Sequence, residues 1–259
     1  MPVAPSPDEI FERAVEEGER RLDQSTLELV STSFIAGFTI VFGIVALGIV
    51  HALIEPEFGD VATVAGALAF GPGVVFLVVG RAELCNENFF DPAAKAVDQS
   101  GSWMVVPLLR LWSVTFVVNL VGGVLFALVF TVGGVLPTGT AASLSAAAED
   151  LERRGVATGF ASAIVGGALV ALLSFLFLGV NSVRGRISMA YIVGFLLALG
   201  PFDHVIVTAL HVVFGIRFGA DVRYGAFAEV LVVATAGNLV GGLGLVTLTH
   251  VARAVGEER

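Results

Sequence analysis

Six long apolar runs set the pattern of this chain, at roughly 33–54, 61–90, 104–135, 158–181, 187–215 and 226–250, with polar residues gathered in the short joins. Each run is long enough to cross about 30 Å of hydrocarbon as a helix, so the pattern predicts an all-α membrane protein with six transmembrane helices. Residues 1–30 follow a different rule. Charges occur throughout them and no apolar stretch long enough for a secretory leader is present. Ser6-Pro7-Asp8-Glu9 reads as a helix cap, and Ile10, Phe11, Ala14 and Leu22 form a thin apolar stripe behind it. The expected organisation is therefore an amphipathic N-terminal helix on the cytoplasmic surface (1–30), a transmembrane channel domain (31–252) and a short cytoplasmic tail (253–259).

The polar positions inside the apolar runs are not scattered. Asn-Leu-Val-Gly-Gly occurs twice, at Asn119 to Gly123 in the third run and at Asn238 to Gly242 in the sixth. With three crossings between the copies, the two halves (31–136 and 157–252) thread the bilayer in opposite directions, the signature of an inverted repeat. The second and fifth runs are interrupted in corresponding places, by Gly71-Pro72-Gly73 and by Gly200-Pro201. Proline removes a backbone donor and clashes with the preceding turn, and broken backbone at membrane depth survives only against protein or a water-filled cavity. Both spans are thus expected to be broken helices beside a pore.

Polar residues follow each interruption: Arg81, Glu83, Asn86, Glu87 and Asn88 in the first half, Asp203, His204 and Thr208 in the second. For the first cluster an ordinary reading stays open, since residues 61–80 alone complete a span and leave the rest as a polar cytoplasmic end. The second cluster has no such outlet. Asp203 and His204 lie mid-run, where an ionisable pair is costly and marks function by default. Of the other histidines, His211 follows His204 by two helical turns and fits either an outer exit or a packed position, while His51 and His250 read as interface residues. Trp103 and Trp112 mark the headgroup level. Asn119 and Asn238 are expected to bond the backbone groups freed by the nearby breaks, which gives them a supporting role first.

Composition agrees with lipid as the solvent. Apolar residues make up 56% of 259 positions and charged residues 14%, and the mean hydropathy is +0.90, more apolar surface than a soluble core of this size can hide. Nine basic residues fall on the side of the N-terminus (Arg13, Arg20, Arg21, Lys95, Arg110, Arg184, Arg186, Arg253, Arg259) against four on the other (Arg153, Arg154, Arg217, Arg223), which places both termini in the cytoplasm. The net charge of −9 and the single lysine point to a high-salt habitat or to chance acidity of the first helix; no basic patch suggests nucleic acid. Cys85 is the only cysteine, which excludes an intrachain disulfide and a multi-thiolate metal site. No cofactor is implied.

Four ordered motifs resemble those of the formate/nitrite transporters: Ala82-Glu83-Leu84-Cys85-Asn86, Asn119 to Gly123, Phe202-Asp203-His204-Val205-Ile206, and Gly237 to Gly242. The resemblance covers about residues 30–252 and implies a pentameric channel with an aquaporin-like six-helix protomer. It also implies that Leu84, Cys85 and Asn86 narrow the cytoplasmic side, that Phe70, Val74 and Leu197 complete the apolar constrictions, and that His204 is the central polar residue between them, with Asp203 and Thr208 beside it and Glu83 supporting the first loop. The chain departs from the family pattern at several points. Cys85 and Asn86 replace phenylalanine and threonine, Ala171 replaces an asparagine, Thr208 replaces another, and the outer lysine aligns with Gly155, next to Arg154.

The chemistry expected is passage of a small monovalent anion or its weak acid (formate, nitrite, hydrosulfide or a short carboxylate) together with protons. Apolar rings make crossing as an ion expensive, and protonation removes that cost. An imidazole with an intrinsic pKa near ~6.5 can lend the proton or offset the charge. A water or neutral-solute channel shares the architecture, but the paired Asn-Pro-Ala turns of aquaporins are missing. An intramembrane enzyme using Glu83, Cys85, Asp203 and His204 lacks any hydrolase motif.

Overall fold

The computed structural model describes residues 5–99 and 103–257, so the last two residues of the expected tail, including Arg259, lie outside the described residues. Every regular element among the described residues is helical. Helix α1 (Pro7–Leu22) opens with the expected capping box: Ser6 Oγ accepts from Glu9 N–H at 3.3 Å while the Glu9 carboxylate accepts from Ser6 N–H at 2.8 Å. Its apolar stripe does not face lipid. Ala14 packs with Phe90, Ala94, Leu178 and Val251, and Ile10 and Phe11 pack at the edge of that cluster.

Among the described residues, five helices are long and apolar enough to cross a membrane: α2 (Thr26–Phe58), α3 (Val61–Val79), α5 (Val105–Phe130), α7 (Gly155–Leu178) and a final one over Tyr224–Ala254. Short α4 (Phe90–Asp98) lies between α3 and α5 in the chain, and α6 (Thr140–Arg153) joins α5 to α7. The fifth apolar run is divided into α8 (Val183–Leu199) and α9 (Val205–Phe218), with residues 200–204 non-helical between them. The final helix comprises α10 (Tyr224–Asn238), a π-helical stretch (Leu239–Thr247) and α11 (Leu248–Glu257). That wide segment carries the second Asn-Leu-Val-Gly-Gly copy. The first copy stays α-helical, a difference that identical pentapeptides could not reveal.

Of the two expected interruptions, only the first differs in position. At Gly200-Pro201 the helix does stop, because proline cannot continue it. At Gly71-Pro72-Gly73 it does not, and α3 runs through Pro72. The reason is a substitute donor. Pro72 leaves the carbonyl of Leu68, four residues earlier, without its helical N–H, and the hydroxyl of Tyr191 on α8 donates to that oxygen at 3.0 Å. Gly71 lies against the Tyr191 ring and Gly73 against Gly43, so the glycines serve close packing of α3 on α8 and α2. Helix α3 ends instead after Val79. There Arg81 takes a left-handed conformation (φ 51°), Arg81 N–H donates to Val78 O at 3.3 Å and Ala82 N–H to Leu77 O at 3.0 Å, a Schellman ending with arginine where glycine is usual.

The same bond that keeps α3 whole makes a prediction. Tyr191→Phe leaves the Leu68 carbonyl unpaired and is expected to cost about 1–3 kcal/mol, read as a lower unfolding temperature in detergent. In a Pro72→Ala background, where the helix supplies its own donor, the cost should shrink toward zero.

Candidate functional site

The two non-helical stretches, residues 80–84 and 200–204, are each held by an asparagine side chain. Asn119 Nδ2 donates to Ser33 O (2.7 Å) and Glu83 O (3.0 Å), and its Oδ1 accepts from Cys85 N–H (3.0 Å). Asn238 Nδ2 donates to Ala163 O (2.7 Å) and Asp203 O (2.7 Å), and its Oδ1 accepts from Val205 N–H (2.9 Å). The partners correspond one for one. Each amide caps the helical segment that follows its loop, satisfying an N–H that has no helical partner, and each satisfies the carbonyl two residues earlier. Asn238 has one further bond: its Oδ1 also accepts from Asn86 Nδ2 at 2.6 Å. A single oxygen therefore ties the end of the first loop to the start of α9.

Glycines let the backbones come this close. A Cβ on Gly37 would strike the backbone of Asn119, and one on Gly167 the backbone of Asn238. Gly122 and Gly241 likewise seat against the carbonyls of Phe34 and Ile164. The repeated Gly-Gly thus sets the distance at which the asparagines work.

Two cavities flank this junction. One of about 490 Å³ is lined by Phe70, Leu197, Phe202, Asp203, Thr208 and His211, together with His51 and residues of α6. The other, about 430 Å³, lies under α1 and is lined by Leu77, Ala82, Glu83, Glu87, Asp91 and Phe177 with several arginines. Leu84, Val74 and His204 line neither cavity and are buried, at 5%, 7% and 0% exposure. Phe70, Val74, Leu84 and Leu197 belong to one apolar cluster with Val205, Ile206 and Val207. His204 ends the second loop, and neither of its ring nitrogens has a hydrogen-bond partner. Buried polar atoms are rarely left so.

The remaining expected residues divide by what they touch. Asn86 spends its amide on Asn238. Cys85 Sγ lies 4.0 Å from the Trp112 carbonyl on α5. Trp112, read from the sequence as a headgroup marker, donates to Asn88 O at 2.8 Å and so also supports the first loop. Thr208 Oγ1 lies 3.5 Å from Asp203 Oδ1, and His211 Nδ1 is 3.0 Å from Val207 O. His250 stacks on Phe175 with ring centres 3.8 Å apart.

Each loop carboxylate meets arginine. Glu83 lies 3.1 Å from Arg20 and 3.5 Å from Arg21, and accepts from Gln24 at 2.9 Å. Asp203 meets Arg154 at 3.1 Å. Nothing in the spacing of the sequence ties residues 20–24 to Glu83, because the contact crosses 59 positions or more. Arg21 is buried among Glu17, Glu83, Glu87 and Asp91. Burial pushes the Asp91 carboxyl up, to about 6, against the opposing pull of Arg21. Burial would raise Glu17 as well, but its hydrogen bond to Arg20 and the Arg21 charge hold it down at about 2.

Two outcomes follow. Asn238→Ala strands four groups and Asn119→Ala three, so both should lower thermal stability by about 2 kcal/mol or more, Asn238→Ala by the larger amount. Acids whose pKa is raised in the fold stabilise it below their unfolded value and lose that contribution as pH rises through the folded one. The docking of α1 on α4 should therefore weaken as pH rises through about 6, seen as faster amide exchange in α1 at pH ~8 than at pH ~5 after correction for intrinsic rates.

The chain is 23% identical over 234 residues to the inner membrane protein YfdC of Escherichia coli (strain K12), covering 90% of this chain and 74% of that one. It is 27% identical over 247 residues to the uncharacterized transporter YrhG of Bacillus subtilis (strain 168), covering 94% and 91%. Its fold is similar to that of an FNT family ion channel (TM-score 0.83, 16% identity, 94% and 98% coverage) and of a pentameric formate channel with formate bound (TM-score 0.74, 20% identity, 88% and 97% coverage). The sequence model of the formate/nitrite transporter family matches residues 8–252. With that match over nearly its whole length, the chain belongs to the formate/nitrite transporter family.

Proposed function

We propose that this protein is a membrane channel that passes small monovalent anions as their weak acids, with His204 as the central proton-exchanging group between two apolar constrictions. The observation that carries the reading is His204 itself: a fully buried imidazole with both ring nitrogens free of partners, placed where the two loops are joined through Asn238. In this reading the protomer has six crossings in two inverted halves. The second crossing is interrupted at residues 80–84 and the fifth at 200–204. The one-for-one correspondence of the Asn119 and Asn238 bonds supports this arrangement.

An anion in either cavity faces apolar side chains, Phe70 and Leu197 on one side and Leu77 and Phe177 on the other. Moving it past them charged costs several kcal/mol or more, whereas the protonated acid crosses as a small polar solute. His204 supplies the only imidazole between the cavities and accepts or returns the proton as the solute passes. Thr208 and Asp203 shape the field beside it. Leu84, Val74, Phe70 and Leu197 form the constrictions; Asn86 and Cys85 hold the first loop, through Asn238 and toward α5.

Both termini lie in the cytoplasm in this reading, following the basic residues, and the protomers assemble as homopentamers in the cell membrane, like the pentameric formate channel that the fold resembles. That channel was solved with formate, which makes formate the first cargo to test, with nitrite, hydrosulfide and short carboxylates after it. In vesicles, wild-type protein should take up formate faster as external pH falls. His204→Phe should abolish the pH-coupled flux by about tenfold or more while leaving assembly intact. An unchanged, pH-independent anion flux in His204→Phe protein would remove the imidazole from the mechanism.

A further inference from the structure

In the family pattern the outer vestibule carries a lysine, and in this chain that position is Gly155 with Arg154 beside it. Gly155 has φ 71°, a left-handed turn between α6 and α7 that a lysine would adopt only with strain. The cation has moved one position, and its surroundings have changed with it. Arg154 Nη1 donates to Pro201 O at 3.0 Å and Nη2 to Asp203 Oδ1 at 3.1 Å, while Nε lies 3.9 Å from Asp150 Oδ2. Its side chain is 15% exposed and that of Asp203 9%.

We infer that Arg154 is a positioning residue: it fixes the loop that ends in His204 by clamping Pro201 and Asp203, and its charge is committed to that clamp and does not gather anions in the outer vestibule. Three observations support this. The guanidinium spans the loop at two points, and a planar fork can hold a carbonyl and a carboxylate at once where an ammonium holds a point. The partner is a carboxylate buried at the step before His204, so the loop cannot shift without exposing or unpairing a charge. The first loop is built on the same plan: Glu83, the residue before Leu84, is held by Arg20, Arg21 and Gln24 from outside the loop. A surface segment reaches each loop with guanidinium and grips the carboxylate before its innermost residue. The inference rests on the proposed permeation route for its functional consequence, but the clamp itself does not.

Arg154 and Asp150 face Asp203 from the end of α6, His51 from α2 and His211 from α9 share its larger cavity, and a smaller adjoining pocket brings Glu152, Arg223 and Glu229 to its other side. Counting Asp203, these four carboxylates outweigh the two arginines, Arg154 and Arg223, so this vestibule offers an anion no net attraction at neutral pH.

The test is a double-mutant cycle on Arg154→Gln, Asp203→Asn and the pair together, with Arg154→Lys as the conservative variant. Two readouts are taken on protein shown to assemble by size exclusion: amide exchange of residues 200–208, and formate influx with its half-saturating concentration and pH profile. Arg154→Gln leaves a buried carboxylate unpaired, so it should speed exchange in residues 200–208, lower maximal flux by about tenfold and move the pH profile, with half-saturation changed by less than about twofold. Arg154→Lys should fall between. The double variant replaces the ion pair by two neutral amides and should recover most of the protection of residues 200–208. The inference is overturned if Arg154→Gln raises half-saturating formate severalfold with protection and pH profile intact, or if the double variant is no better protected than Arg154→Gln. Should wild-type protein carry no formate, the permeation reading fails, while the exchange cycle still decides whether the clamp exists.

Discussion

Backbone polar groups in a non-aqueous interior must be paired, and in this molecule that constraint converges on two asparagine side chains. A helix that stops inside an apolar assembly leaves an N–H on one side of the gap and a carbonyl on the other, with no water to take them. Asn119 supplies both needs for the loop at residues 80–84, and Asn238 supplies them for the loop at 200–204. Asparagine suits the task because one planar amide carries an acceptor and two donors at fixed separation. Those bonds also place His204, whose neighbours on both sides, Asp203 and Val205, are bonded to the same side chain.

The charged groups have a consistent place in this scheme. Carboxylates occur at the residue before each innermost loop position, and each is matched by arginine reaching in from α1 or from the end of α6. Buried ion pairs contribute little net stability compared with apolar packing, but breaking one is costly, which makes them effective at holding a loop in one arrangement. Rigid loops matter for a narrow passage. The constriction proposed for the apolar cluster of Phe70, Val74, Leu84 and Leu197 would discriminate only as well as its spacing is maintained, and close-packed glycine contacts along α2, α5 and α7 hold that packing.

How much of this was legible in the sequence depended on whether the cause was local. The apolar runs, the cap of α1, a stop at Pro201 and hydrogen bonding by Asn119 and Asn238 can be read from residue type and depth alone. The stop assigned to Pro72 was wrong because its remedy, the Tyr191 hydroxyl, comes from 123 positions along the chain. The true end of α3 was hidden because Arg81 occupies a left-handed position that sequence rules reserve for glycine. The π-helical stretch after Asn238 and the clustering of acids around Arg21 are likewise products of packing between distant segments. Arg154 was visible only as a neighbour of a shifted cation; its bond to Asp203 spans 49 positions.

In the proposed route the solute crosses the apolar junction without net charge, its proton exchanged at His204. The most direct measurement is of charge and protons together: reconstituted vesicles holding a pH-sensitive dye, a formate gradient and a clamped membrane potential. The account predicts one proton moving with each formate and an initial rate independent of the potential. Formate movement that carries current and leaves the internal pH unchanged would contradict it.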